Sequence, residues 1–120
     1  MDDFTMYLDE QSQVIRQRVE CVLDDEVSRR LFNKTAELAA KLKDPRKIRI
    51  LAVSDTFGKP TPAARRSLMN NVKRSELYKL AMVGNNPFMR AVISFFLSVG
   101  STGKVRLFEN EDDALEWLKK

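Results

Sequence analysis

The chain contains no histidine. That removes the Ser-His and Cys-His nucleophile pairs, the commonest zinc ligand, and the side chain best suited to moving protons near neutrality. Carboxylate, lysine and backbone chemistry stay open, so the enzyme reading is weakened rather than removed. There is one cysteine, Cys21, and no internal disulfide can form. A reduced, cytosolic setting is the expectation. Cys21 itself reads as a small core residue, because Glu20, Asp24 and Asp25 oppose a thiolate. Glycine and proline are sparse, four of each, and no linker, repeat or low-complexity tract stands out. No run reaches the roughly 18 apolar residues of a membrane-spanning helix. The opening M-D-D-F-T is acidic and lacks the basic start of a secretory signal, which again points to the cytoplasm.

What is present fits one domain, residues 1–120, with 43% hydrophobic and 32% charged side chains. The net charge of +4 is unevenly spread. Residues 1–45 hold seven basic and ten acidic side chains, residues 46–108 twelve basic and two acidic, and the last twelve residues two basic and five acidic. The middle can attract phosphates, acidic lipids, nucleic acid or an acidic protein. Arg65, Arg66, Lys73 and Arg74 could form one helical stripe, but no aromatic residues interleave with it and no recognised motif accompanies it. That argues against nucleic acid as the partner.

Periodicity gives the elements. Phe4 to Asp9 alternates as a strand, Glu10 to Ser12 turns, and Val14 to Cys21 returns as an antiparallel strand. Asp24, Asp25 and Glu26 suit a helix start. Val27, Leu31, Leu38 and Leu42 then mark the apolar face, with Lys41 and Lys43 in the last turn before Pro45. Ile48 to Val53 reads as a strand buried on both faces. Thr61 is a fair N-cap before Pro62, and the helix it opens runs to about Lys73 with Ala64, Leu68 and Val72 inward. Leu77 to Val83 and Val105 to Phe108 are strands. Asn110 caps a last helix, with Asp113 placed to answer it and Ala114, Leu115, Trp117 and Leu118 inward.

One segment breaks the pattern. Residues 87–99 read P-F-M-R-A-V-I-S-F-F-L-S-V. Only Arg90, Ser94 and Ser98 are polar, and they form one narrow stripe on the predicted helix. Phe88, Met89, Val92, Phe95, Phe96 and Val99 exceed what one face against a sheet needs. A homodimer seam, a docking face for another protein, the mouth of an apolar-ligand pocket, and plain burial under neighbouring elements all remain open.

The order ββαβαβαβα implies right-handed crossovers and a five-stranded mixed α/β sheet. With the strand K-I-R-I-L-A-V-S at 47–54, the passage K-L-A-M-V-G-N-N-P at 79–87 and the ending K-V-R-L-F-E-N-E-D-D-A-L-E-W-L at 104–118, the chain resembles the SpoIIAA-like branch of the STAS fold. The resemblance implies a small, non-catalytic cytosolic binding or regulatory module. In some relatives a serine at the start of the helix after the third strand is phosphorylated. The matching loop here, S-D-T-F-G-K-P-T-P, lacks the D-S-S-G pattern and leaves Thr61 nearest the helix start as the phosphoacceptor position. The branch also resembles lipid-binding domains in part.

Ligands of open α/β sheets gather at the carboxyl ends of the parallel strands. Two helix starts are expected there, after Gly58, Lys59 and Thr61 and after Asn85 and Asn86. Their free amides, with Arg65 and Arg90, could receive an anion; ordinary helix capping accounts for the same residues. Neither loop is a nucleotide fingerprint, since Pro60 removes a donor and the spaced glycines are missing. No metal or cofactor set is expected. The leading reading is an interaction module that self-associates, or binds another protein, through 87–99. The alternative is a carrier or sensor of a lipid-like or anionic small molecule at the strand carboxyl edge.

Overall fold

A computed structural model describes residues 4–20, 24–54, 61–72, 76–84 and 103–120. Cys21, the loop 55–60 and the segment 85–102 lie outside the described residues, and so does the helix expected over 87–99. Among the described residues five strands and three helices follow in chain order: β1 Phe4–Asp9, β2 Val14–Val19, α1 Asp25–Ala39, β3 Ile48–Ser54, α2 Pro62–Val72, β4 Leu77–Val83, β5 Val105–Phe108 and α3 Glu111–Lys119. They build one mixed sheet in the order β1-β2-β3-β4-β5. Only β1 with β2 is antiparallel; the other three pairs are parallel.

The hairpin turn is built by two side chains. Asp9 Oδ1 accepts the amides of Gln11 at 3.2 Å and Ser12 at 3.4 Å. Gln13 takes the left-handed conformation, φ 58°, that closes the turn. Its side chain donates to Glu10 O at 2.7 Å and accepts Lys43 N at 2.9 Å, which ties the hairpin to the chain leaving α1. The Ser12 amide is the main reason the Asp9 carboxyl is held below the usual aspartate value; partial burial opposes it, while Arg16 and the Gln11 amide reinforce it. A lowered folded-state value contributes stability above the unfolded-state value, and that stability is lost as pH falls through the folded one. An NMR titration should therefore find Asp9 titrating below the ordinary aspartate range, with the Gln11 and Ser12 amides following the same midpoint. A normal midpoint would remove this account of the turn.

Side-chain alternation gives the sheet two covered faces. On one, Val14, Leu51, Val53, Ala81 and Val83 meet Ala114 and Leu118 of α3, with Phe108, Leu115 and Trp117 packed beside them. On the other, α1 lies over β1 and β2 and packs against α2. Ile15 meets Leu38, Ala39 and Leu42, while Val19 meets Val27, Leu31 and Ala64. Farther along that face Leu77 and Val105 join Ile48, Ile50, Leu80, Met82 and Leu107, most of them half-buried.

Local chemistry explains the helix ends. Asp24 Oδ1 accepts Val27 N at 2.9 Å and caps α1. Asn110 Oδ1 accepts Asp113 N at 2.9 Å, and Asn110 Nδ2 donates back to the Asp113 carboxylate at 3.1 Å. Three differences from expectation appear. β2 stops at Val19 rather than Cys21. α1 stops at Ala39, so Lys41 and Lys43 lie past its last turn; the chain continues in tighter turns in which Lys41 N donates to Leu38 O and Leu42 N to Ala39 O. In β3, Leu51, Ala52 and Val53 are buried, whereas Ile48, Arg49 and Ile50 are only half-buried. That strand is a core strand at its carboxyl end alone.

Candidate functional site

At the carboxyl edge of the parallel strands the described site residue is Thr61. Its hydroxyl accepts Ala64 N at 3.2 Å, which makes it the cap of α2. It also donates to Asp25 Oδ1 at 3.3 Å. Thr61 therefore pins the start of α2 to the first turn of α1, a partner that sequence spacing did not indicate. A phosphoryl group there would replace a donor with a dianion facing Asp25: the helix amides would favour it and the carboxylate would oppose it. Gly58, Lys59, Asn85, Asn86 and Arg90 lie outside the described residues, as does the side chain of Arg65. Phe88, Met89, Val92, Phe95, Phe96 and Val99 lie outside them too.

The opposite edge, where β3 and β4 begin, holds a cluster that the sequence reading passed over. The β3–β4 register slips by one between the pairs Ile48–Leu77 and Arg49–Lys79, leaving Tyr78 as an extra residue on β4. Three cations surround its ring: Arg49 at 4.8 Å, Lys79 at 5.4 Å and Lys47 at 5.5 Å from the centroid. Lys79 Nζ also stands 4.8 Å over the Trp117 ring and donates to Trp117 O at 2.8 Å, near the carbonyl end of α3. Trp117 contacts Phe108 at 5.5 Å, and Arg106 lies 5.2 Å over Phe108. These aromatics accompany Lys47, Arg49, Lys79 and Arg106, not the stripe of Arg65, Arg66, Lys73 and Arg74 in which the sequence shows none. The only signal in the sequence is the pair K-I-R at 47–49 and Y-K at 78–79, which reveals nothing until the register is known.

Among the described residues, no three acidic or cysteine side chains come together as a metal site. No helix among them is long and apolar enough to cross a membrane, which leaves strand-built spans unaddressed.

The model of the SpoIIAA-like family matches residues 14–119. The chain belongs to the SpoIIAA-like family. That places it in the STAS-domain superfamily, and the five-stranded mixed sheet with alternating helices is the fold of that family. The chain is similar to the crystal structure of an uncharacterised protein with a SpoIIAA-like fold from Shewanella loihica. Identity is 17% and the TM-score 0.66, over 98% of this chain and 95% of that one. No curated protein matches the chain in sequence. Fold and family together point to a STAS-like regulatory or interaction module.

Proposed function

We propose that this SpoIIAA-like chain is a non-catalytic interaction module that pairs with a second copy of itself through residues 87–99. The observation behind this reading is a mismatch of surfaces. The β4–β5 end of the α1 face offers one apolar floor, made by Leu77, Leu80, Met82, Val105 and Leu107. A floor of that kind takes one side of a helix. The helix predicted over 87–99 has polar residues only at 90, 94 and 98, and so carries apolar side chains beyond those one floor can accept. Each surplus phenylalanine buried in a seam contributes about 1.5–3 kcal/mol, so leaving two of them in water is a material cost that pairing relieves.

The test is mass in solution over a range of concentrations. The parent chain is expected to dimerise. Phe95→Asp and Phe96→Asp are expected to give folded monomers, with helical circular dichroism preserved. A parent chain that stays monomeric at high concentration, together with variants that unfold, would show the segment to be plain core and end this reading.

A further inference from the structure

Arg49 and Lys79 face each other directly in the β3–β4 register. Like charges opposed across a sheet repel and weaken it. Among the described residues no carboxylate lies within ion-pair distance of Lys47, Arg49, Lys79 or Arg106. The Tyr78 ring stabilises the cations through its negative face, yet it leaves their charge and most of their N–H donors unneutralised. Arg49 Nε is buried with no hydrogen-bond partner at all. The arrangement costs stability in the free protein and is suited to receiving negative charge.

The size of the cluster selects the ligand. It occupies the first residues of two neighbouring strands, about 4.8 Å apart, with Arg106 on the next strand. The positive strip does not continue across β2, because Arg16 is taken by Asp9 at 3.4 Å and Glu111 at 3.6 Å. A long polyanion would find no track. A compact group with several charged oxygens finds one guanidinium and two ammonium groups gathered on the same ring, a combination that suits phosphoryl oxygens.

We propose that Lys47, Arg49 and Lys79, gathered on Tyr78 at the amino-terminal edge of β3 and β4, bind a compact phosphoryl anion of the diphosphate type. This site lies at the opposite end of the strands from the Thr61 edge, and it does not depend on pairing through 87–99.

Trp117 is the single tryptophan of the chain, and Lys79 rests on its ring. Its emission therefore reports on the cluster. Titration with pyrophosphate at low salt is expected to give a saturable emission change that weakens as salt rises. Arg49→Gln, and separately the exposed Lys47→Gln, should each weaken the apparent affinity roughly tenfold. Lys34→Gln on α1 should leave it unchanged. Sedimentation with phosphatidylglycerol vesicles, competed by pyrophosphate, would mark a lipid headgroup as the natural source; absence of sedimentation would mark a soluble phosphoryl compound, and either result upholds the site. The proposal falls if calorimetry and emission both show no pyrophosphate binding. It falls equally if the folded Arg49 and Lys47 variants bind as well as the parent, or if only single-stranded RNA binds, with affinity growing with its length.

Discussion

Leu118→Ala is expected to lower the free energy of unfolding by about 3 kcal/mol. Leu118 is 0% exposed and belongs to the cluster of Val14, Leu51, Val53, Ala81, Val83 and Ala114. Two members of that cluster, Ala81 and Ala114, are already as small as a side-chain-bearing residue can be. Neither can move into the space that the lost isobutyl group leaves, so the cavity persists and its cost adds to the transfer term. α3 spans nine residues, too few to be stable alone, and its seat on the sheet is what keeps it helical. Leu115 is only half-buried beside the same cluster, so Leu115→Ala should cost clearly less, about 1 kcal/mol. Urea denaturation followed by circular dichroism separates the two. A lower midpoint with unchanged slope is expected for Leu118→Ala. A shallower, two-step transition would mean that α3 detaches before the sheet unfolds. A loss equal to that of Leu115→Ala would contradict the packing of α3 described above.

How far the sequence carried the fold depends on which interaction fixed each element. β1 and β5 have the bounds expected from their alternation, and β4 has those expected from its apolar run, which is packed on both faces of the sheet. The start of α2 and the cap of α3 were equally legible, since Thr61 before Pro62 and Asn110 before Asp113 act on amides within three residues. The end of α1 was not. Lys41 and Lys43 suggested a charged last turn, yet the chain leaves the α-helix at Ala40 and is held instead by Gln13, thirty residues away in sequence. A tertiary hydrogen bond of that kind leaves no local pattern. The cluster on Tyr78 was hidden for a related reason. The slip in the β3–β4 register adds a residue to one strand only, so parity along β4 does not tell which side Tyr78 serves. Its contacts with Arg49 and Lys79 settle that, and they depend on strands brought together from distant parts of the chain. Of the residues proposed for the carboxyl edge, Thr61 keeps its capping role and acquires Asp25 as a partner.

Ala64→Leu should destabilise the protein by about 2 kcal/mol, through crowding rather than through loss of contact. Ala64 sits in the first turn of α2, is 0% exposed, and packs among Val19, Val27 and Leu31. Those neighbours come from β2 and from α1, so the methyl group fills the angle where two helices and a strand converge. Leucine is the better core residue by transfer free energy and about as good a helix former, so both simple scales predict little change or a gain. The geometry predicts the opposite, because three more carbons in a closed angle must push something away. The element best able to yield is α2, whose start is held to α1 through Thr61 and Asp25. Displacing it should break that hydrogen bond first. The Ala64→Leu protein should therefore show both a lower denaturation midpoint and shifted amide signals at Asp25, Thr61 and Ala64, with the α3 face undisturbed. Ala64→Gly supplies the contrast: it should cost about 1 kcal/mol through helix propensity while leaving the Thr61–Asp25 signals in place. An Ala64→Leu protein as stable as the parent would mean that the α1–α2 angle has room to spare, and Thr61 would then lose its role as the fastening between the two helices.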